Sequence, residues 1–131
     1  MNQALALIIE DSDLLAEYFA QVLQAAGYKT IIAEDGRFAQ QKLQELIPDI
    51  VLLDLNLPFV SGELLLAQIR NDARLSKTRV LIASADGTHA RQLGDQADLV
   101  LQKPIDYHQL RILSTKLHPD YKPTTGSLHQ A

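Results

Sequence analysis

The sequence of 131 residues contains no cysteine. This absence excludes disulfide bonds, zinc sites with thiolate ligands and thiol nucleophiles, and it fits a reducing compartment. The chain also has no run of basic residues, and its formal net charge is −4. Nucleic-acid binding depends on clustered lysine and arginine that neutralise phosphates, so we expect no direct nucleic-acid partner.

The N-terminal residues MNQALALIIEDSD carry no positive charge on a side chain, and their apolar run is short. A signal peptide needs a basic start and a longer apolar segment, and a membrane helix needs about 20 apolar residues. We therefore expect neither export nor membrane insertion, and a cytoplasmic location is the simplest prediction.

The composition is 47% hydrophobic and 21% charged, which is typical of a globular domain. The length suits one domain with one core. We assign this domain to residues 1–118. Residues 119–131 contain two prolines, one glycine and small polar residues, so we expect a flexible C-terminal tail or a linker to a missing domain.

Five apolar runs alternate with segments of helical periodicity, which predicts an α/β fold with a parallel sheet. Runs one, three and four are nearly all aliphatic, so these strands belong in the middle of the sheet, and strands two and five belong at its edges. The predicted order is therefore 2-1-3-4-5. The predicted strands are Ala4–Ile9, Tyr28–Ala33, Asp49–Asp54, Arg79–Ser84 and Leu99–Gln102.

Apolar residues recur at helical spacing from Leu14 to Ala26, and Gly27 is expected to end this first helix. The fourth helix, Thr88 to about Gln96, has few apolar residues, so we expect it to be short and solvated. Four aromatic residues are assigned to the core: Tyr18, Phe19, Tyr28 and Phe38. The remaining predicted helices are Arg37–Leu46, Gly62–Asn71 and Asp106–Leu117.

Polar residues stand at the carboxyl ends of four predicted strands: Glu10, Asp11, Asp54, Ser84 and Lys103. Any one of them would be unremarkable, because acidic residues often cap the next helix. In an open parallel sheet, however, ligands bind beyond the carboxyl ends, where the strand order reverses. The coincidence therefore predicts a functional site at this edge.

Three neighbouring carboxylates repel one another, so an ionised cluster implies a bound cation. Carboxylate oxygens without cysteine or clustered histidine favour Mg²⁺ over zinc. Mg²⁺ keeps coordination positions free for phosphoryl oxygens. Asp54 could then attack phosphorus, while Lys103 and the Ser84 hydroxyl meet the phosphoryl oxygens. The four histidines, His89, His108, His118 and His129, are expected to be solvated rather than catalytic.

The motifs ED at residues 10–11, LLDLNLP around Asp54, IASAD around Ser84 and LQKP around Lys103 occur in this order. Over residues 4–118 the chain resembles a two-component response-regulator receiver domain. The resemblance implies a flavodoxin-like (βα)5 fold and a signalling switch rather than an enzyme. It also implies that a histidine kinase or histidine phosphotransfer protein phosphorylates Asp54, with Mg²⁺ as the cofactor.

The resemblance further assigns roles to individual positions. The Mg²⁺ ligands would be Glu10 (mostly through water), Asp11, Asp54 and Asn56. The phosphate-binding residues would be Ser84, Ala85 and Lys103. Two residues would tune how fast the phosphoryl group is lost: Asn56 and Asp86. It also implies a cis peptide between Lys103 and Pro104, and permissive backbone angles at Gly62.

One position departs from the family pattern. Receiver domains usually have Tyr or Phe three residues before the lysine, and this aromatic residue works with the Ser/Thr position as a switch. Ser84 matches, but the aromatic position is Val100. A valine side chain is too small to change its exposed surface area as much as an aromatic ring does on moving between exposed and buried positions. We therefore expect the usual switch to be altered. The output surface implied by the family is helix 4, strand 5 and helix 5, through which the chain could form a homodimer. Its partner would be a downstream effector protein or a missing output domain.

Three other functions fit parts of the pattern. A Mg²⁺-dependent phosphatase with an aspartate nucleophile would commonly need a second aspartate two residues after Asp54, where this chain has Asn56. Flavin binding would need a phosphate cradle after strand one, where EDSD is acidic. The alternative kept open is a phosphorylation-independent interaction module, which Val100 favours and the acidic cluster opposes.

Overall fold

The aliphatic runs form one sheet of five parallel strands with the order β2-β1-β3-β4-β5, which confirms the predicted topology. The computed structural model describes residues 3–123. Four strands have the predicted bounds, and β3 begins one residue later than predicted. The strands are β1 (Ala4–Ile9), β2 (Tyr28–Ala33), β3 (Ile50–Asp54), β4 (Arg79–Ser84) and β5 (Leu99–Gln102).

The helices cover both faces of this sheet and create two apolar clusters. On one face, α1 and α5 pack through residues such as Phe19, Leu23 and Leu110. On the other face, α2, α3 and α4 contribute Leu43, Leu65 and Ala90. Every residue of β3 is buried, as expected for a central strand with a core on each side. The helices are α1 (Asp13–Ala25), α2 (Gly36–Glu45), α3 (Gly62–Arg70), α4 (Gly87–Gln92) and α5 (Tyr107–Lys116).

An oxygen-bearing side chain caps the N-terminus of each of these five helices by accepting a backbone N–H bond. The helix α4 ends at Gln92, earlier than the predicted Gln96, and within it only Ala90 is buried. A single buried residue gives the helix little packing energy, so its last predicted turn does not form. A short 3₁₀ helix, Ala73–Leu75, was not predicted.

The assignment of aromatic residues to the core is wrong for Phe38. Tyr28 and Phe19 are buried, and Tyr18 packs at the edge of the same cluster, whereas Phe38 is 40% exposed. On α2 the residues that face the sheet are Ala39 and Leu43, and Phe38 precedes the first of them. The Lys42 ammonium group lies 5.0 Å from the centroid of the Phe38 ring.

Two hydroxyl groups tie the α1 side of the sheet to α5. The buried Tyr28 Oη donates to the Ser114 carbonyl at 2.7 Å. Burial raises the pKa of Tyr28, with the Asp49 charge adding to the effect, so this phenol stays protonated and keeps donating. Tyr18 Oη donates to the Ile105 carbonyl at 3.2 Å in the loop before α5. Tyr107 packs edge to face with Tyr18, with ring centroids 6.4 Å apart.

Two glycines are required for different reasons. Gly27, after α1, has a φ of 101°, which confirms its predicted role as a helix terminator. Gly62 was expected to supply permissive angles, but its requirement is space. A Cβ atom there would lie 2.7 Å from Leu55 Cα and 2.9 Å from the Asp54 carbonyl oxygen. Any side chain at position 62 would therefore displace the backbone that carries Asp54.

The chain turns after α5, where His118 contacts the main chain rather than solvent alone. Its Nε2 lies 3.2 Å from the Gly27 carbonyl oxygen, and its Nδ1 accepts from Asp120 N at 3.0 Å. The rest of the predicted tail from residue 124 onwards, including His129, lies outside the described residues. Within residues 3–123, no helix has the length and apolar character needed to cross a membrane.

Candidate functional site

Three carboxylates converge at the carboxyl edge of β1 and β3. Ile9 pairs with Leu53 in the sheet, so Glu10 and Asp54, which follow these residues, lie side by side. One oxygen each from Glu10, Asp11 and Asp54 lies within 4.8 Å of the others. Glu10 and Asp54 are only 2% and 3% exposed, whereas Asp11 is open to solvent. The cluster therefore combines two buried acids with one accessible acid.

One lysine reaches the two buried carboxylates. Lys103 Nζ lies 2.9 Å from Glu10 Oε1 and 3.5 Å from Asp54 Oδ1. Among residues 3–123, Lys103 is the only cation paired with these three carboxylates, so negative charge remains uncompensated in the cluster. Burial raises the pKa of Glu10, and the Asp54 charge raises it further, although the Lys103 hydrogen bond opposes both effects. Burial alone would lower the pKa of Lys103, but its hydrogen bond with Glu10 and the Asp54 charge outweigh burial and raise it.

Backbone donors fix the orientation of the buried acids. Asn56 N donates to Asp54 Oδ1 at 3.1 Å, and Ser12 N donates to Glu10 Oε2 at 3.2 Å. Lys103 and Asn56 both contact Oδ1 of Asp54. Within residues 3–123, Oδ2 of Asp54 accepts no hydrogen bond from the protein, so it is the oxygen available to a ligand.

Ser84 ends β4 next to this cluster, but its hydroxyl group is held by the following loop. Asp54 pairs with Ala83, which places Ser84 one residue further along the edge. Ser84 is buried; its Oγ donates to the Asp86 carbonyl at 3.1 Å and accepts from Asp86 N at 3.0 Å. The Lys103 amide donates to the Ser84 carbonyl at 2.8 Å. The ends of β4 and β5 are therefore joined directly, and Ala85 lies exposed between them and α4.

The two residues assigned to tuning phosphoryl loss have different surroundings. Asn56 is exposed beside the Asp54 carboxylate. Asp86 is also exposed, but its Oδ1 accepts from Thr88 N and His89 N and caps α4. The tuning role stays a prediction for both residues, and the structure adds a helix-capping role for Asp86. His89 is not simply solvated, because its Nε2 lies 2.5 Å from Glu63 Oε1 on α3.

Val100 is partly buried and packs against the cluster on the α2, α3 and α4 side. A groove of about 370 Å³ runs beside it, between α4 and β5. Its lining includes Gly87, Arg91 and Gln102. The structure thus places a small aliphatic side chain and an open groove where the family pattern expects an aromatic ring.

Sequence reasoning missed a second groove beside Lys103. It has a volume of about 580 Å³ and is mainly apolar, with Leu14, Leu15 and Tyr18 from α1 facing Pro104 and Ile105. Leu14 is 82% exposed. The sequence signal for this groove was the adjacent pair Leu14 and Leu15, because neighbouring residues of a helix point in different directions and cannot both face the core. The Lys103–Pro104 peptide in this groove is cis, as predicted.

Comparison with known proteins agrees with this fold and arrangement. The model of the response regulator receiver domain family matches residues 6–114. The polar-differentiation response regulator DivK of Brucella ovis is 33% identical over 104 residues, which cover 76% of this chain and 83% of DivK. The chain therefore belongs to the response-regulator receiver family.

Solved structures support the same assignment. A CheY-like receiver domain from Methylobacillus flagellatus superposes with a TM-score of 0.80 at 27% identity, covering 89% of this chain and 100% of that domain. The response regulator TrrA of Thermotoga maritima, solved in complex with Mg²⁺–BeF, gives a TM-score of 0.78 at 25% identity. That match covers 87% of this chain and 98% of TrrA. The fold is thus CheY-like and flavodoxin-like.

Proposed function

We propose that this chain is a phospho-accepting receiver domain in which Asp54 is phosphorylated in a Mg²⁺-dependent reaction. The observation that carries the proposal is the charge imbalance at the carboxyl edge. Among residues 3–123, Lys103 is the only cation paired with the three acids, and it contacts Glu10 and Asp54 but not Asp11. Such a cluster is costly to keep ionised unless a further cation binds there. We assign the domain to residues 1–118.

The donor set fits a magnesium ion. Glu10, Asp11 and Asp54 offer hard oxygen atoms within 4.8 Å of one another, and Asn56 follows directly in the adjoining loop. Glu10 would act mostly through water, because its carboxylate is already bonded to Lys103 and Ser12. When bound, Mg²⁺ would neutralise the acids and stabilise negative charge on a phosphoryl group.

Asp54 supplies the nucleophile. Its Oδ1 is held by Asn56 N and contacted by Lys103, so Oδ2 is the oxygen that forms the new bond to phosphorus. The phosphorus–nitrogen bond of a phosphohistidine donor breaks, and its electron pair returns to the imidazole, which takes up a proton. Lys103 then donates from its ammonium group to the phosphoryl oxygens. The Ser84 hydroxyl can also donate to them once it no longer bonds to the Asp86 carbonyl.

The donor would be a histidine kinase or a histidine phosphotransfer protein. The groove formed by Leu14, Leu15, Tyr18 and Pro104 borders Lys103 and offers an apolar surface to such a protein. Phosphorylation would shift an equilibrium between two states that an effector protein or an output domain reads, with α4, β5 and α5 as the output face. A homodimer through the same face fits this proposal, as does a cytoplasmic location.

A phosphorylation-independent interaction module is the second candidate, and one observation favours it. Val100 stands in the aromatic switch position beside an open groove, and the Ser84 hydroxyl is already satisfied by the loop. In that case the surfaces would bind partners without any change at Asp54. The acidic cluster argues against this candidate, because two buried acids that share one lysine lower the stability of the fold unless they have a function.

Intact-mass spectrometry after incubation with phosphoramidate and Mg²⁺ tests the proposal. We expect the wild type to gain one phosphoryl group and Asp54→Asn to gain none, because the amide cannot act as the nucleophile. Asp95→Asn is the matched control, since Asp95 is an exposed acid at the opposite end of the sheet. EDTA should prevent the mass increase.

Two results would contradict the proposal. An unmodified wild type would support the interaction module instead. Continuous release of phosphate from varied phosphomonoesters would indicate a phosphatase rather than a stoichiometric switch.

A further inference from the structure

The loop between β3 and α3 contains an unusual turn centred on Phe59. Phe59 has a φ of 73°, and it is the only residue other than glycine with positive φ among residues 3–123. Val60 N donates to the Pro58 carbonyl at 2.9 Å across it. A hydrogen bond that spans one central residue with φ near +75° defines the rarer and more strained of the two γ-turn forms. The sequence places a bulky side chain where the backbone favours glycine.

The strain at Phe59 is not compensated by burial of its ring. The residue is 69% exposed, so it contributes little to either core cluster. Glycine or asparagine would adopt the same backbone with less strain. The strained backbone thus carries an exposed aromatic ring, and strained backbone of this kind clusters at functional sites.

The Phe59 ring is held in a defined position. The Arg37 guanidinium carbon lies 3.9 Å from its centroid, which is a cation–π arrangement. Arg37 lies in the first turn of α2, where the helix dipole disfavours a positive charge. Its contact with Phe59 joins the β3–α3 loop to α2 and orders the ring before any partner arrives. An ordered exposed aromatic residue loses little entropy on binding, which suits an interface anchor.

The position of Phe59 restricts which partner it can meet. Asp54 is only 3% exposed, so a donor residue must reach it from the carboxyl edge of the sheet. Phe59 stands on that edge, five residues after Asp54 in the same loop. Three other exposed apolar residues lie in the first turns of helices there: Leu14 at 82%, Leu64 at 62% and Phe38 at 40% exposure. A protein that delivers a phosphoryl group to Asp54 would cover this apolar rim, whereas a small molecule would not touch it.

We propose that Phe59 is a recognition residue for the protein phosphodonor and contributes to the choice of donor. This inference rests on the proposed function, because it assumes that Asp54 receives its phosphoryl group from a protein. The ring contacts the apolar surface around the donor's phosphohistidine and takes no part in the transfer step itself.

The test compares a small phosphodonor with a protein phosphodonor. The small donor is phosphoramidate, which carries the same phosphorus–nitrogen bond as phosphohistidine without a protein surface. The protein donor is a purified histidine kinase, autophosphorylated with ATP and selected from a panel as the fastest donor to the wild type. The variants are Phe59→Gly, Phe59→Tyr and, as a matched exposed apolar residue on α5, Ile112→Ala.

For Phe59→Gly we expect the rate with phosphoramidate to stay within about twofold of the wild type. With the kinase we expect kcat/KM to fall by about tenfold or more, mainly through KM, as for the loss of an interface anchor. Phe59→Tyr keeps the ring and should retain the kinase rate, and Ile112→Ala should match the wild type with both donors. Phe59→Gly should also raise Tm, because it relieves the γ-turn.

Two results would overturn the inference. An unchanged kinase rate in Phe59→Gly would show that the ring does not recognise the donor. An equal fall with both donors would show that Phe59 only supports the geometry of Asp54. If the wild type failed to react with phosphoramidate, the proposed function would fail instead, so the two failures are distinguishable.

Discussion

Acidic residues lie both at the amino edge of the sheet, where the parallel strands begin, and at the carboxyl edge, where they end. Their surroundings differ. At the amino edge, Asp98 accepts from Val80 N at 2.7 Å and pairs with Arg70 and Arg79 at 3.1 Å each. At the carboxyl edge, the cluster of three acids has one cationic partner in the described part of the chain, Lys103, which contacts Glu10 and Asp54. Asp98 therefore stabilises the fold, whereas the acids of the cluster repel one another until a cation joins them. The location of an acid at a strand end therefore does not by itself determine its role, because the number of its cationic partners differs between the two edges.

Removing Lys103, the lysine that contacts the acidic cluster, should have the largest effect. Lys103→Met keeps much of the side-chain length but cannot donate to phosphoryl oxygens. We expect phosphorylation by phosphoramidate to slow by about 10²-fold, the usual cost of one lost electrostatic donor. Quantitative mass spectrometry over time measures the rate. Lys116→Met, at the exposed end of α5, should react like the wild type, and a normal rate in Lys103→Met would refute the assigned role.

Removing the acid of the amino edge should reduce stability instead. Asp98→Ala removes the acceptor of Val80 N and the carboxylate partner of Arg70 and Arg79. Because the side chain of Asp98 is partly exposed, we expect the free energy of unfolding to fall by about 2 kcal/mol. Urea denaturation measures this change. The rate of phosphorylation by phosphoramidate should remain that of the wild type. A lower rate at unchanged stability would show that Asp98 acts in the reaction rather than in the fold.

Neutralising the exposed acid of the cluster should weaken metal binding. Asp11→Asn removes one charge while leaving the buried pair and Lys103 in place. We expect Mg²⁺ affinity to fall by roughly tenfold, since ligand charge controls affinity at such sites. Titration followed by NMR chemical shifts of the site amides gives the affinity. An unchanged affinity would remove Asp11 from the ligand set, and Asp13→Asn is the neighbouring control.

The smallest effect is expected for an acid of the carboxyl edge that already has its partners. Asp86→Ala deletes the cap of α4 and should lower stability by about 1 kcal/mol. Amide hydrogen exchange should accelerate in α4 and remain slow in α5. Mg²⁺ affinity should not change, because the Asp86 carboxylate is bonded to α4. A weaker affinity would place Asp86 among the acids that hold the metal.

The pattern of apolar residues along the sequence predicted most of the fold. The continuous aliphatic runs identified the strands and their order, because burial on both faces demands such composition. The convergence of Glu10 and Asp54 followed from the same topology, since the ends of parallel strands meet at one edge. What could not be predicted depends on contacts between distant segments. Examples are the pairing of Asp98 with Arg70, the exposure of Phe38 and the space required at Gly62.

The remaining differences, at the end of α4 and at Phe59, have local causes. The helix α4 stops at Gln92, and within it only Ala90 is buried, so packing adds little to its stability. The left-handed backbone of Phe59 gives no sequence signal, because such conformations are rare for a residue with a bulky side chain. The roles of Asn56, Ala85 and Val100 at the site remain predictions, since they concern a phosphorylated state.

The hydrogen bond from Tyr28 to Ser114 has a mechanical consequence. It clamps the edge strand β2 to α5, while Tyr18 fastens α1 to the loop before that helix. On the other face, α2 and α3 bury Leu43, Leu65 and Ile69, whereas α4 buries only Ala90. Of the five helices, α4 can therefore shift relative to the sheet with the least loss of buried apolar contact.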